Sequence, residues 1–420
     1  MAKPQKIKRH QKINWSGRGR NRRATLPETA LVVVLLAVVA GLGWLLYTPV
    51  YNFIMGLTLE PSQQPTQSQS APETPEPLPQ ESQPEEGSSS QPEENHPPVT
   101  VLGEIRGVYM PAAYQQSDLL ADRFLDSLQG SDINAVLVDL KDANGVVHYQ
   151  SSLEQVAANG AQSEQAVDAA WLVKKLKDRG YTPIGRVSAF QDKTAPRSMA
   201  DSAVKYQGTQ TNWIDNSLQN GGKPWLNPYS LDAQNYISDI AYEAAEKGFE
   251  IIILDSVQFP TGYSLELATY GDTGGRSRQE VLTQFADRVS ERLAGRDCRV
   301  LVQVFSGTML TGDAYGEDPA ALIRDRGVID LSPAMLGAWF QLGEERIENP
   351  VQKPYEIVNF LLEHIGPQAG TIAILQDYTA SWLAGEPYGR AQVEEQLRAL
   401  RDNGLNSYIL YDPEGTYDLK

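Results

Sequence analysis

Acidic side chains stand directly after several apolar runs of this sequence. In the segment 249–263, four apolar residues (251–254) are followed directly by Asp255, and Pro260 marks the end of the predicted strand. A continuous β-branched run of this kind predicts a strand buried on both faces, as in parallel sheets. A carboxylate at the carboxyl end of such a strand lies where α/β sheets and barrels hold their active sites. The alternative interpretation is that Asp255 only caps the following turn.

Two carboxylates at such strand ends could cleave a glycosidic bond. One acid protonates the leaving oxygen, and the other attacks the anomeric carbon or activates a water molecule. We predict that Asp255 is the nucleophile or base and that Asp139 and Asp377 are its acid partners, with Glu266 as a further candidate in a loop. The choice between retention and inversion depends on the carboxyl separation, about 5–5.5 Å against about 6.5–9.5 Å, and stays open.

Polar and aromatic residues occupy equivalent positions after the other apolar runs. The residues predicted to bind the substrate are Tyr109, Lys141, Arg186, Trp225, Gln258, Gln303, Gln376 and Tyr411. The same strand ends carry Asp142, Ser188, Asp330, Met335 and Asp412. Asp139 and Lys141 share one strand face because side chains alternate with a period of two. Lys141 could instead pair with Asp139 and only satisfy its charge, and Asp142 could be only a turn former.

Aromatic residues of the predicted loops are candidates for stacking on sugar rings. They are Trp213, Trp225, Tyr229, Tyr263, Trp339, Tyr378 and Trp382. A loop tryptophan is more often packed against its own loop, so each remains a candidate only. The four histidines show no metal-ligand spacing, and no serine or cysteine nucleophile motif is present. We therefore predict no metal and no cofactor, and the single cysteine, Cys298, excludes an intramolecular disulfide.

These residues need a scaffold that gathers strand ends at one place. Eight apolar runs have strand character: 105–111, 135–142, 182–190, 251–260, 300–306, 329–335, 371–377 and 407–412. Helical patterns between them cover 117–129, 166–179, 231–247, 278–294, 318–326, 355–364 and 390–403. This alternation predicts βαβ units in a parallel sheet, and eight units predict a (β/α)₈ TIM barrel. A doubly wound open sheet is the alternative, although no glycine-rich phosphate loop follows the first strand. The largest insertion, 191–230, should lie over the top of the barrel.

The residues before the barrel predict a membrane anchor and a tether. Segment 1–28 is basic, with nine Lys/Arg and no acid among its first 24 residues, and 29–57 is apolar enough to span a bilayer. Positive charge before the span places the N-terminus in the cytoplasm. A cleaved signal peptide is the alternative, but the basic and apolar runs are both long. Segment 58–98 is rich in Pro, Gln, Ser and Glu and predicts a disordered linker. The barrel domain, 99–420, would then be extracytoplasmic on a single-pass membrane protein.

Charge narrows the class of partner. The formal net charge is −17, although the first 24 residues are purely basic, so the remainder of the chain is strongly acidic. An acidic body argues against nucleic acid, because phosphate contacts need a basic surface. The predicted partners are therefore a polysaccharide and, through the N-terminal helix, the membrane. The oligomeric state stays open.

Several segments resemble a bacterial family of glycoside hydrolase-like domains, formerly a domain of unknown function. The matching segments are 134–149, 181–192, 223–230, 248–260, 304–307, 329–335, 374–378 and 406–417. The resemblance implies a glycosidase-related TIM barrel, usually on exported proteins, and it matches Asp255 to an acid of the family. This chain departs from the family pattern at Ser256 and Gln258, where the family has tyrosine and arginine, and at Gln303, which stands where the family often has an acid.

Three functions compete at this stage. The first is a membrane-anchored hydrolase of a polysaccharide, expected to belong to the cell envelope. The second is a non-catalytic glycan-binding or envelope-organising module, favoured by the neutral side chains of Gln258 and Gln303. The third is a barrel that acts on a different bond, such as an amide or an ester, since a fold alone does not fix chemistry.

Overall fold

The computed structural model describes residues 103–419, except 313, 368–369 and 384–386. The predicted cytoplasmic segment, membrane anchor and linker lie outside the described residues. Within the described part of the chain, no helix combines the length and the apolar character needed to cross a membrane.

Eight parallel strands form a closed barrel. They are β1 (Arg106–Tyr109), β2 (Ala135–Lys141), β3 (Thr182–Ser188), β4 (Ile251–Asp255), β5 (Arg299–Phe305), β6 (Gly327–Asp330), β7 (Ile372–Gln376) and β8 (Ser407–Tyr411). Each strand pairs with its sequence neighbours, and β1 pairs with both β8 and β2, which closes the sheet. The predicted (β/α)₈ barrel is therefore confirmed, and the doubly wound sheet is excluded.

Helices follow the first seven strands. They are α1 (Asp118–Ser127), α2 (Ala169–Asp178), α3 (Leu231–Glu246), α4 (Arg278–Leu293), α5 (Ala320–Ile323), α6 (Pro354–Ile365) and α7 (Arg390–Asp402). Side-chain caps fix where the first four begin: Ser117, Asp168, Ser230 and Ser277 each accept a backbone N–H of the first turn. Short helical turns are Ala112–Gln115, Glu154–Ala158, Ala195–Ser198, Ala200–Ser202, Leu218–Asn220, Leu265–Leu267, Ser306–Thr311, Pro333–Leu336 and Pro350–Gln352.

The apolar residues form two main layers. One layer lies between the sheet and the helices and contains most of the buried side chains. The other fills the barrel interior with side chains from all eight strands, most of them branched, among them Leu137, Ile184, Ile253 and Ile374. The interior is therefore a packed core below the carboxyl ends of the strands, and polar residues enter the barrel only above it.

The insertion after β3 has a small core of its own. Val204, Trp213 and Trp225 form a separate buried cluster there. The strand Lys205–Tyr206 of the insertion pairs with Ala268–Thr269 of the loop after β4. We refer to 191–230 together with 261–277 as the cap.

Some predicted boundaries were wrong for local reasons. Strand β4 ends at Asp255 and not at residue 260, because Ser256 has a left-handed backbone with φ of 55°. Strand β6 ends at Asp330 because Pro333–Leu336 turns into a 3₁₀ helix. Two additions were not predicted: strands Val147–Tyr149 and Gln162–Val167 extend the sheet beyond β2, and Trp339–Leu342 forms a hairpin with Glu345–Glu348.

Candidate functional site at the mouth of the barrel

One residue from each strand faces the barrel axis above the interior core. Leu137, Ile253 and Ile374 belong to that core, so the side chains two positions further along each strand point the same way. These eight residues, which we name the mouth ring, are Tyr109, Asp139, Arg186, Asp255, Gln303, Asp330, Gln376 and Tyr411. Seven of the eight were selected from the sequence as catalytic or binding residues.

Arg186 and Asp139 form the central ion pair of the ring. The guanidinium Nε lies 2.6 Å from Oδ1 of Asp139 and Nη2 lies 3.1 Å from Oδ2, so the contact is bidentate. The hydroxyl of Tyr109 donates to Oδ2 at 2.9 Å. Burial would lower the pKa of Arg186, but the Asp139 carboxylate raises it well above its usual range. Asp139 is therefore held as the partner of a permanent cation.

Two aromatic rings flank this ion pair. The rings of Tyr109 and Tyr411 lie 4.7 Å apart, and the guanidinium carbon of Arg186 lies 5.6 Å and 5.4 Å from their respective centroids. Cation–π contacts of this kind hold a guanidinium in one plane. The position of Arg186 is thus fixed from two directions, by a carboxylate and by aromatic faces.

Asp255 and Asp330 are the other carboxylates of the ring. Burial raises the pKa of Asp255; the Arg186 cation opposes this rise, and the charges of Asp139 and Asp330 add to it. Burial likewise raises the pKa of Asp330, against hydrogen bonds from Ser332. The backbone N–H of Ser256 donates to Oδ1 of Asp255 at 2.8 Å and that of Ser332 to Oδ1 of Asp330 at 2.9 Å. Each acid is therefore oriented by the turn that ends its strand.

Ser256 stores backbone strain beside Asp255. Its left-handed φ of 55° is rare for a residue with a side chain, and such conformations cost about 1–3 kcal/mol. The strain is concentrated where the chain leaves β4, and the same residue donates the hydrogen bond that fixes Asp255. Strained backbone of this kind clusters at functional sites.

Gln303 lies on β5, between the strands of Asp255 and Asp330. Its side chain is 7% exposed, and its Oε1 has no hydrogen-bond partner among the described residues. Nearby, Tyr315 donates its hydroxyl to Oε1 of Gln258 at 3.0 Å and accepts the backbone N–H of Phe305 at 3.1 Å. Gln303 thus presents a buried amide acceptor on the strand between those of the two carboxyl groups, whereas the Gln258 side chain is already hydrogen-bonded.

Asp377 lies outside the mouth ring. It lies one residue past the end of β7, beyond the position of Gln376 in the ring. Burial raises its pKa to about 7, and the charges of Asp412 and Asp418 contribute. The carboxylates that act on Asp377 are therefore those after β8. The proposed pairing of Asp377 with Asp255 stays a prediction.

Lys141 serves the scaffold in this structure. The β2–β3 register shifts by one residue between Asp139 and Lys141. The Lys141 ammonium is fully buried, lies 2.9 Å from Oδ2 of Asp192 and donates to the carbonyl oxygen of Ser188 at 2.7 Å. The expectation that Lys141 shares the face of Asp139 and contacts substrate or Asp139 is corrected by this bulge, which directs it to the loop after β3.

Gln376 and Trp225 are engaged in packing contacts. The Gln376 side chain accepts the backbone N–H of Ala334 at 2.8 Å and donates to the carbonyl oxygen of Tyr378 at 2.8 Å. Trp225 is 1% exposed in the core of the cap and donates its indole N–H to Asp215 at 3.0 Å. Neither side chain is free for a sugar in this arrangement, so the structure assigns both to the packing that supports the mouth.

Two strand-end acids, Asp142 and Asp412, are turn formers, which is the alternative interpretation given above for Asp142. Asp142 accepts the backbone N–H groups of Asn144 and Val146 at 2.8 and 3.0 Å, and the nearby His148 holds its pKa down to about 2 despite its burial. Asp412 accepts the N–H of Thr416 at 2.8 Å.

Asp330 is the ring carboxylate that the sequence reasoning did not select as catalytic. It was recognised as a strand-end residue, but the strand was drawn to residue 335. Asp330 lies two residues after Val328, which belongs to the interior core, and this spacing was the signal that could have identified Asp330 as inward-facing. Among the described residues, no three His, Cys, Asp or Glu side chains are grouped as ligands for a metal ion.

Comparison with known proteins supports the same architecture. No curated protein matches the chain. A hypothetical protein from Ruminiclostridium thermocellum ATCC 27405 is 29% identical over 46% of this chain and 96% of that one, with a TM-score of 0.41. The PgaB (BpsB) glycoside hydrolase domain from Bordetella bronchiseptica is 15% identical over 74% of this chain and 94% of that one, with a TM-score of 0.50. At this identity the second similarity concerns the fold alone.

A family model matches residues 107–417, which is nearly the whole described region. Its description is "Putative glycosyl hydrolase domain". The matched region begins in β1, ends after β8 and includes every residue of the mouth ring. The chain therefore belongs to this family of glycosyl hydrolase domains, DUF4015.

Proposed function

We propose that the barrel hydrolyses O-glycosidic bonds of a polysaccharide, with Asp255 and Asp330 as its two carboxylates. The observation that carries this proposal is the pair of half-buried, inward-facing acids on β4 and β6, separated by the strand of Gln303. Glycoside cleavage needs two such groups on either side of the scissile bond. Family membership supports the same reaction class.

The surroundings of the two acids support different roles. A general acid must be protonated at the working pH, and burial raises the pKa of a carboxyl group in that direction. Of the influences that oppose burial, the Arg186 cation is the largest at Asp255 but only a minor one at Asp330. Asp255 is therefore assigned as the nucleophile or base and Asp330 as the acid that protonates the leaving oxygen.

Asp139 and Arg186 influence the two proposed catalytic acids, Asp255 and Asp330, through charge and position. Asp139 is fully engaged by Arg186 and Tyr109, which leaves it poorly placed to donate a proton. The bidentate contact holds Arg186 where its charge favours the ionised form of Asp255. This assignment differs from the sequence-based prediction that Asp139 or Asp377 is the acid partner.

The proposed setting is the outer face of a cell membrane, with a cell-envelope polysaccharide as substrate. The basic segment, the apolar segment and the polar linker of residues 1–98 motivate this topology. Treatment of intact cells with an added protease tests it. Cleavage of the barrel without lysis is expected, and protection of the barrel until lysis would contradict the topology.

Reducing-end release from purified bacterial envelope polysaccharides tests the reaction. The full-length chain in mild detergent is compared with Asp255→Asn, Asp330→Asn and Asp377→Asn. Loss of one acid–base group is worth roughly 10²–10⁴ in rate, so the first two variants should lose activity on that scale. Asp377→Asn is the matched control and should stay within a few fold of the parent. Equal loss in Asp377→Asn and no loss in Asp330→Asn would reverse the assignment of the acid.

A second function is favoured by one observation, the neutral amide of Gln303 between the two acids. An unpartnered buried acceptor can bind a sugar hydroxyl or amide without any reaction. If the parent releases no reducing ends but is retained on an immobilised glycan, the barrel is a binding module on a glycosidase scaffold. Release that disappears in Asp255→Asn excludes this alternative.

A further inference from the structure

Four aromatic rings run in sequence from the mouth ring to the protein surface. Tyr109 contacts Tyr411 with centroids 4.7 Å apart, Tyr411 contacts Tyr378 at 6.3 Å, and Tyr378 contacts Trp382 at 6.1 Å. The first two rings flank Arg186. We name these four side chains the aromatic row. It connects the central ion pair to the loop after β7.

The outer end of the row is open to solvent. The Trp382 side chain is 60% exposed, and its ring plane is inclined by only 33° to that of Tyr378. An isolated exposed aromatic residue needs no explanation. Trp382, however, is the outer member of a contact chain whose inner members, Tyr109 and Tyr411, belong to the mouth ring.

Tyr378 joins this exposed ring to the reaction centre. Burial raises its pKa to about 12, and the charges of Asp330 and Tyr411 add to the effect. Its ring is half-buried and meets Tyr411 edge-on at 78°. A group bound against the Tyr378–Trp382 faces would therefore lie over the end of β7, the strand that pairs with the strand of Asp330.

We propose that Tyr378 and Trp382 form a subsite that binds a neutral pyranose unit of the polysaccharide next to the bond being cleaved. A pyranose ring has an apolar C–H face and a rim of hydroxyl groups, which suits an aromatic surface with a polar, wet edge. The inference deepens the proposed function and rests on it for the position of the scissile bond. Binding of a sugar to these rings does not itself require hydrolysis.

The charge of the mouth argues for a neutral sugar over an anionic one. With Asp330 protonated as the proposed acid, the ring still holds two ionised carboxylates, Asp139 and Asp255, against one cation, Arg186. The whole chain carries a net charge of −17. An acidic sugar approaching this surface would be repelled. A subsite beyond the reaction centre also predicts that affinity increases with the length of the oligosaccharide.

Oligosaccharide binding to non-hydrolysing protein tests the subsite. The full-length chain carrying Asp255→Asn is titrated with chitohexaose and with cellohexaose, and both calorimetry and tryptophan emission are recorded. Contact of a sugar with the exposed indole should shift the emission to shorter wavelength. Adding Trp382→Ala should raise Kd roughly five- to tenfold, since aromatic stacking is worth about that factor.

Two further variants separate binding from structure. Trp382→Phe keeps a stacking face, so it should restore Kd to within about threefold while it abolishes the emission shift. Trp171→Ala is the matched control: this tryptophan lies on α2 and donates to Asp118, and its loss should change neither Kd nor the shift. Because Trp382 is mostly exposed, its substitution should leave the thermal unfolding midpoint unchanged.

The outcomes distinguish the subsite from the reaction. Unchanged affinity in Trp382→Ala, or no binding of either hexasaccharide by the Asp255→Asn chain, overturns the subsite, even if the parent releases reducing ends. Weakened binding in Trp382→Ala supports the subsite, even if the parent releases none. In that second case only the hydrolase proposal fails.

Discussion

Strand β2 contributes to two ion pairs that lie two residues apart and have opposite characters. Asp139 pairs with Arg186 inside the mouth ring, and the two side chains retain 19% and 13% exposure. Lys141 pairs with Asp192 of the cap, and both side chains have no exposure at all. The first pair is surrounded by aromatic faces and two further acids, whereas the second is hydrogen-bonded to backbone groups.

The difference shows what separates a site from a scaffold at one strand end. Asp192 also accepts the backbone N–H groups of Thr194 and Ala195 at 2.7 and 2.8 Å. A pair whose side chains are completely desolvated is not accessible to a ligand. The Asp139–Arg186 pair keeps access to solvent and acts electrostatically on Asp255. Polar residues at a strand end thus predict a site only where their side chains remain partly accessible to solvent.

Removal of the Lys141 charge should have the largest effect on stability. Lys141→Met leaves Asp192 buried without its cation, and breaking a buried pair costs about 3–5 kcal/mol. Chemical denaturation measures the change in the free energy of unfolding. Lys174→Met is the control, since the Lys174 side chain is 74% exposed beside Asp178 and should cost less than about 0.5 kcal/mol. A loss equal to that of the control would show that the buried pair is not structural.

Gly145→Ala tests how rigidly the buried pair is held. Gly145 has φ of +80°, and a Cβ there would lie 2.0 Å from Oδ1 of Asp192. We expect destabilisation by about 2–4 kcal/mol, from backbone strain and from displacement of that carboxylate. Gly160→Ala is the matched control, with φ of +61° and open space around its Cβ, and should cost only about 1 kcal/mol. Equal losses of unfolding free energy in the two variants would mean that the loop containing Asp192 moves to make room for the added methyl group.

Arg186→Lys should affect activity more than stability. Lysine keeps the charge but loses the bidentate contact with Asp139 and the planar stacking on Tyr109 and Tyr411. We expect kcat/KM to fall roughly ten- to a hundredfold, about 1.4–2.7 kcal/mol. Arg179→Lys, on the outer surface beside Asp122, should change kcat/KM less than twofold. A larger loss of stability than in Lys141→Met would remove the distinction between the two pairs.

The smallest predicted effect is the contribution of Asp377 to the pH dependence of stability. Its pKa is raised to about 7 by burial and by its acidic neighbours, against roughly 3.9 in an unfolded chain. The folded state therefore binds the proton more tightly, and this contribution is complete below about pH 4 and lost as pH rises through 7. Asp377→Asn should flatten this decline and stabilise the protein by about 1–2 kcal/mol at pH 8. Parallel pH profiles of the free energy of unfolding for parent and variant would contradict the shifted pKa.

The sequence was sufficient to predict the barrel because its signal is periodic. Eight apolar runs alternate with amphipathic helices, and one acid, Asp255, ends a fully buried strand. The same rule identified Tyr109, Arg186 and Gln303, since their strands are regular. Local sequence could not reveal which polar residues were already satisfied.

The misplaced residues depend on distant partners or on a break in the alternation. Lys141 left the inner face through a bulge, and its partner Asp192 lies on another loop. Trp225 packs in a core formed with Val204 and Trp213, a contact that the apolar periodicity of strands and helices does not reveal. Asp330 was not selected because the strand was drawn five residues too long. Alternation predicts the direction of a side chain only while the strand continues.

The cap consists of two segments that are separated in sequence but joined as one piece. The indole N–H of Trp213 donates to the carbonyl oxygen of Ser264 at 3.1 Å, and Asn227 donates to that of Tyr270 at 3.0 Å. If the backbone of 261–277 moved, the side chains of Trp213 and Asn227 would lose their hydrogen-bond acceptors, and buried donors without acceptors are costly. For grafting between relatives, the smallest exchangeable unit is therefore the pair 191–230 and 261–277, while the eight barrel strands can be left as they are. Transfer of one segment alone should give a cap that does not close its small core.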